Sequence, residues 1–438
     1  MARGVELMSW SILIAAALGA LLPRVTAATA QVPAAATAQL PIPAAAQASD
    51  HFDAVAATNA YLATVPPAER ARSDAYFEGG YWLLLWDFLV SAAIYFLLLA
   101  TGASAWMRDR AERVRWKPLQ TLVYWGQFLV VTAVLGFPLS VYQDFVREHR
   151  YGLATQTFGL WMGDQVKSLV VGGILGGLLV AAIYGVLRRA PRTWWIWGSA
   201  VTIVFLTFTA LIAPVYIAPL FNTYTKLGDP SIAAPILSMA RANGIPASAV
   251  YVVNASRQTT RVSANVSGFF GTERITLNDN LLRRASLPEI EATMGHEMGH
   301  YVLHHAYKGL LFFGVLTVVA FAFLRSAFAW ALARWGMAWR IRGVDDIAGL
   351  PLFALLLTLY LFLLTPITNT YIRTQEYEAD IFGLNASAQP DGEALMDLKL
   401  GEYRKLDPGP VEEFIFFDHP SGRARIYAAM RWKAEHLK

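Results

Sequence analysis

Two histidines four residues apart, with a glutamate between them, make His296-Glu297-Met298-Gly299-His300 the most chemically loaded stretch of the chain. On an α-helix, positions i and i+4 share a face one turn apart. Two imidazoles so placed can grip one tetrahedral zinc ion at about 2.0–2.1 Å. Glu297, one step round the helix, then lies close enough to take a proton from the water that attacks a peptide carbonyl. Four of the chain's 8 histidines fall between His296 and His305, a concentration that favours a metal site over a chance surface match. Cysteine is absent, which excludes disulfides, thiolate ligands, cysteine nucleophiles and iron–sulfur clusters. Any metal must be held by histidine and carboxylate.

A third ligand is needed. One extended zinc pattern would place Gly and His at positions held here by Leu303 and Ala306, so that pattern fails. His304 lies one further turn along, where three imidazoles on a straight helix converge poorly, and His304 and His305 read as exposed groups near a membrane boundary. A carboxylate from elsewhere is the better candidate. Glu376 and Asp380 are again i and i+4. Glu376 can ligate zinc while Asp380 accepts the second ring N–H of a ligand histidine. Glu378 points elsewhere and reads as a surface charge. Near the C-terminus stands Phe417-Asp418-His419-Pro420, followed by Arg423 and Arg425. A histidine or arginine there can stabilise the oxyanion formed at an attacked carbonyl. From the residues alone, the plainer reading is a helix-start cap at Asp418 with ordinary basic residues after it.

The elements that must position these groups are partly legible. Asp229-Pro230 and the apolar positions Ile232, Ile236 and Leu237, closed by Gly244, predict a capped helix of about four turns. Val250–Val253, Arg261–Ser267 and Arg274–Leu277 are short β-rich runs, which predict a small sheet. Ser286 and Glu289 form a capping box that opens the metal-motif helix, expected to run to about His305. Residues 219–308 therefore read as a folded α+β unit, and 372–438 as several amphipathic helical pieces.

The rest of the chain is apolar. Of its 438 residues 55% are hydrophobic and 16% charged, against roughly 25% charged in soluble domains. Six runs are long enough to cross a hydrocarbon core about 30 Å thick as helices: Trp82–Gly102, Thr121–Val141, Val166–Leu187, Trp194–Tyr216, Gly309–Trp330 and Ile347–Tyr371. Trp82, Trp86, Trp106, Trp116, Trp194, Trp195, Trp197, Trp335 and Trp339 cluster near their ends, as interfacial belts do. Residues 1–30 read either as a signal peptide or as a short first transmembrane helix. Residues 31–80 form an Ala/Pro-rich extramembrane segment, and 31–50 read as flexible. The expected organisation is four membrane helices in 81–218, the first catalytic part in 219–308, two helices in 309–371 and the second catalytic part in 372–438. The loops carrying Arg108 to Lys117, Arg188 to Arg192 and Arg334 to Arg342 lie on one side by helix parity, which the positive-inside rule makes cytoplasmic. The metal motif then faces the periplasm if the source is bacterial, as the composition suggests. The net charge of +4 comes with no dense basic tract, so nucleic acid is not an expected partner.

Together these stretches resemble the type I CAAX prenyl endopeptidases, integral-membrane zinc metallopeptidases of the gluzincin kind. The similarity runs through Ile217-Ala-Pro-Leu-Phe-Asn222, Ser263-Ala-Asn265 with Gly268-Phe-Phe, and Arg274-Ile-Thr-Leu-Asn-Asp279. It continues through Glu289 to His300, Arg373-Thr-Gln-Glu376-Tyr-Glu-Ala-Asp380, and His419-Pro420 with Arg425. Two spans separate the two metal-ligand motifs, as in that family. The resemblance implies one zinc ion bound by His296, His300 and Glu376, with Glu297 as base and Asp380 orienting a ligand histidine. It implies that His419 and Arg425 stabilise the transition state or hold substrate. It also implies that Asn265, beside a sheet edge, holds substrate backbone by β-strand addition. The implied fold is mostly α and polytopic, with six to seven transmembrane helices around a water-filled chamber and a small α+β zincin-like unit sealing one end. The implied substrate is a peptide or protein with a lipidated C-terminus, from which the last three residues are cut. The family acts on the cytosolic face, opposite to the side assigned by the basic loops.

Overall fold

A computed structural model describes residues 41–267 and 273–436. The signal-like segment 1–30, and the Gly268-Phe-Phe part of the sheet motif, lie outside the described residues.

After a first short helix, α1 (Ala54–Ala63), four long helices follow: α2 (Pro67–Ala100), α3 (Lys117–Arg150), α4 (Phe158–Arg189) and α5 (Trp194–Phe221). Then come β1 (Tyr224–Lys226), α6 (Pro230–Ala242), β2 (Val250–Val253), β3 (Ala264–Ser267) and β4 (Arg274–Asn278). Helix α7 (Leu287–Val302) carries the metal motif. A hairpin of α8 (His305–Trp335) and α9 (Leu350–Ser387) returns to the same side. Helices α10 (Pro390–Leu400), α11 (Pro410–Phe416) and α12 (Gly422–His436) complete the chain.

Six of these helices, α2, α3, α4, α5, α8 and α9, are long and apolar enough to cross a membrane, and they run beyond the stretches seen in sequence, α5 least. Beyond their apolar runs α2, α3 and α9 continue as polar turns at the end opposite the basic loops. Each helix packs on two neighbours, in the cyclic order α2–α3–α4–α5–α8–α9 and back to α2. Between 11 and 28% of each apolar window is buried inside the protein. Most of each helix surface therefore faces lipid or the interior of the ring. Small residues set one contact: Gly173 and Gly177 of α4 leave room for Leu129 and Trp125 of α3, as expected for close helix packing in membranes.

One end of the ring is closed by a cluster of Leu98, Tyr124, Phe128, Tyr184, Leu187, Trp194, Leu324 and Ile347. All three basic loops join helices at that end. Trp194 and Trp339 are packed into this region and are only 4% and 9% exposed. They are core residues and not interfacial anchors, unlike the exposed Trp82, Trp116 and Trp197. At the opposite end stands a four-stranded sheet in the order β1-β2-β4-β3. The β2 and β4 strands are parallel, and the other two pairings antiparallel. Ile275 and Leu277 of β4 pack with Ile236 of α6 and Ile290, Met294 and Met298 of α7. β1 was not foreseen, because three residues with no alternation carry no strand signal.

Residues 44–62 are not a loose tether. Ala46 is fully buried with Ala57, Tyr61, Leu384, Ile426 and Met430, and Lys433 Nζ donates to the Ala46 carbonyl at 2.7 Å. The flexibility expected for 31–50 fails at its described end, because alanine-rich sequence supplies small buried surface as readily as it supplies a linker.

Candidate metal centre

The capping box forms as expected, with the Ser286 N–H donating to Glu289 at 2.6 Å. Helix α7 ends at Val302, short of the expected His305. His304 adopts a left-handed conformation at φ +58°, and a new helix starts at His305.

Helices α7 and α9 cross almost backbone to backbone. A Cβ on Gly383 would sit 2.7 Å from the His296 nitrogen, and one on Gly295 would sit 2.8 Å from the Gly383 carbonyl oxygen. Glycines at the crossing let the two pairs of motif residues face each other. His296 Nε2 and His300 Nε2 are 3.1 Å apart. Glu376 Oε2 is 3.2 Å from His296 Nε2, and Glu376 Oε1 is 3.5 Å from His300 Nε2. A tetrahedral ion bound at about 2.0–2.1 Å requires donor separations of about 3.3–3.4 Å, and these separations, each taken to the nearer Glu376 oxygen, lie close to that. Glu376 Oε2 is buried with no hydrogen-bond donor satisfying it, as a carboxylate oxygen reserved for a cation would be. These three side chains could hold a metal ion.

Behind His296, Nδ1 lies 2.7 Å from Asp380 Oδ1. Arg425 braces that carboxylate, donating from Nε to Oδ2 at 2.9 Å and from Nη2 to Oδ1 at 2.5 Å. It also pairs with Glu393 at 3.2 Å and Asp397 at 2.9 Å. The guanidinium is 7% exposed and committed to carboxylates. Arg425, expected at the substrate or transition state, thus sits behind Asp380, because the buried acids of α10 draw it inward. Asp397 is held well above the usual carboxylate range by burial, with Arg425 opposing and Glu393 and Asp380 adding to it.

Glu297 is half-buried beside the histidines. Burial pushes its carboxyl above the usual range, and His296 and His300 oppose that shift. His419 joins the same cluster, with Nε2 3.2 Å from Glu376 Oε2 and Nδ1 2.9 Å from Asp418 Oδ1. Asp418 therefore serves the histidine ring, where the residues alone favoured a helix cap. Asn265 is exposed on β3, an edge strand that packs along α7. Its side chain forms no part of the donor triangle.

The sequence reading missed His305, Glu393 and Asp397. His305 was expected to be exposed, yet it is 6% exposed and touches His300. Its offset of five residues is not a helical neighbour spacing, so only the break in the helix after Val302 brings it in. Glu393 and Asp397 are an i, i+4 acidic pair, a common surface pattern until Arg425 is seen opposite.

Two family profiles match nearly end to end. Residues 54–223 match the one described as CAAX prenyl protease N-terminal, five membrane helices, and residues 226–433 match peptidase family M48. A Bacillus subtilis protein titled uncharacterized metalloprotease YhfN is 30% identical over 381 residues, 86% of this chain and 89% of that one. CAAX prenyl protease 1 of Saccharomyces cerevisiae is 27% identical over 331 residues, 70% of this chain and 72% of that one. The crystal structure of S. mikatae Ste24p shares the fold, with a TM-score of 0.71 at 22% identity over 83% of this chain and 90% of that one. With the two profiles side by side over most of its length and relatives of this similarity, the chain belongs to peptidase family M48, as a membrane metalloprotease of the type I CAAX prenyl protease family.

Proposed function

We propose that this protein is a zinc-dependent endopeptidase that cuts near the C-terminus of an extended peptide whose apolar or lipidated tail lies in the chamber. The reading is carried by the donor triangle of His296, His300 and Glu376, with edges of 3.1–3.5 Å. Zinc, when bound there, supplies Lewis acidity toward water and the scissile carbonyl.

The chain's own groups do the rest. Glu297 accepts the proton of the attacking water and returns it to the leaving amine. Its partial burial favours this role, since a carboxylate less well solvated than usual is a stronger base. His419, held by Asp418 through Nδ1, presents its Nε2 edge to the site and in its imidazolium form donates to the developing oxyanion. Asp380 holds the tautomer of His296, and Arg425 holds Asp380. β3, an edge strand among the described residues, carries Asn265 and offers backbone groups to an extended substrate. The side opposite the basic loops carries this apparatus, which gives a periplasmic orientation in a bacterial inner membrane.

That orientation supports a second reading, a general membrane protease acting on unmodified proteins, because prenylated partners are cytosolic. One experiment separates the two. A peptide in prenylated and unmodified forms is incubated with the purified protein in detergent, and its product ends are mapped. Faster cutting of the prenylated form supports the CAAX-type activity, and equal cutting leaves the general protease. No cutting of either, with zinc bound, refutes the peptidase reading.

A further inference from the structure

The two histidines of the triangle are held by different means. His296 has a carboxylate at its second ring nitrogen, whereas His300 has another imidazole: its Nδ1 lies 2.9 Å from Nδ1 of His305. His305 Nε2 lies in turn 3.1 Å from Glu378 Oε2. An ionised carboxylate only accepts hydrogen bonds. With both rings neutral, His305 must donate from Nε2, which leaves a lone pair on its Nδ1. His300 must then donate from Nδ1, which leaves its own lone pair on Nε2. That is the atom 3.1 Å from His296 Nε2 and 3.5 Å from Glu376 Oε1.

Resting on the zinc reading above, we propose that His305 and Glu378 are positioning residues that fix the ring orientation and tautomer of His300 for metal binding. The backbone is built for it. On an unbroken helix the fifth residue onward points about 140° away from the first. Here His304 takes the left-handed conformation at φ +58°, which non-glycine residues seldom adopt. The chain re-enters helix at His305 with that ring buried against His300. Both outer partners come from the membrane hairpin. His305 and Lys308 are on α8, Glu378 is on α9, and Lys308 Nζ holds the same Glu378 oxygen at 2.8 Å. The hairpin thus supports both ligand histidines, through Asp380 at His296 and through Glu378 with His305 at His300.

The test is the zinc affinity of the full chain in detergent, measured by competition with a chromogenic chelator, alongside the melting temperature of the metal-free protein. His305→Ala is expected to weaken zinc binding by about 10–100-fold. His305→Asn, whose amide can accept from His300 and donate to Glu378, recovers most of that loss. Glu378→Ala, at an exposed site that keeps the fold, weakens binding by about tenfold. Zinc affinity unchanged in His305→Ala and Glu378→Ala overturns the proposal. So does an equal loss in His305→Asn and His305→Ala, which would mean mere packing. If the unsubstituted protein binds no zinc, the zinc reading itself falls, and this inference with it.

Discussion

A single methyl group at Gly383 should disable the site without unfolding the protein. The Cβ of an alanine there would sit 2.7 Å from the His296 nitrogen and 3.0 Å from its Cα, both backbone atoms that cannot swing aside. Ordinary contact begins near 3.4 Å, so α7 and α9 must part by about 0.7 Å at His296. That shift falls on the residue whose ring spans Glu376 and Asp380. Overpacking of this kind costs about 1–3 kcal/mol, and the helix-propensity gain of Gly→Ala offsets about 1 kcal/mol of it. The net loss of stability is at most about 2 kcal/mol. Catalytic geometry is less forgiving, since a misplacement near 1 Å can cost about a hundredfold in rate. Gly383→Ala should therefore lose at least about tenfold in peptide hydrolysis while its melting temperature falls by only a few degrees. Gly309→Ala is the control, because nothing lies within 4 Å of a Cβ there. It should match the unsubstituted protein. Gly383→Ala with full activity would refute the claim that the backbone crossing sets the metal site.

Glu297→Gln should keep zinc binding yet lose about 10²–10⁴-fold in turnover, the usual worth of a general base. Metal content and rate measured on one preparation check this, and full activity would remove Glu297 from its assigned role. Asp397→Asn should flatten the pH dependence of stability. Its carboxyl binds a proton more tightly folded than unfolded. Its contribution is thus present below the unfolded value and lost as pH rises through the folded one. Melting temperature recorded in detergent from acid to pH 8 should decline less in the variant, and parallel curves would show that Arg425 already satisfies the acid. Chelation should halt hydrolysis and zinc should restore it, whereas activity that survives full metal removal would exclude metal chemistry.

Much of this protein was written in local pattern. Six apolar runs could only be membrane helices, since hydrocarbon leaves backbone groups no partner but the helix itself. His296 and His300, and likewise Glu376 and Asp380, could be paired on helix faces because a 3.6-residue period is a property of sequence spacing alone. The Ser286–Glu289 cap and the runs at 250–253 and 274–277 were legible for the same reason. Tertiary structure decided everything that depends on a partner distant in the chain. The donor triangle exists because Gly295 and Gly383 let two helices 84 residues apart touch at the His296–Asp380 pair. Arg425 faces carboxylates because α10 lies against it, and His305 reaches His300 because the helix breaks at His304. Ring closure, with its end plug drawn from all six long helices, likewise has no signature in any one of them. Spacing along a chain fixes which side chains share a face, but packing of backbones fixes which faces meet.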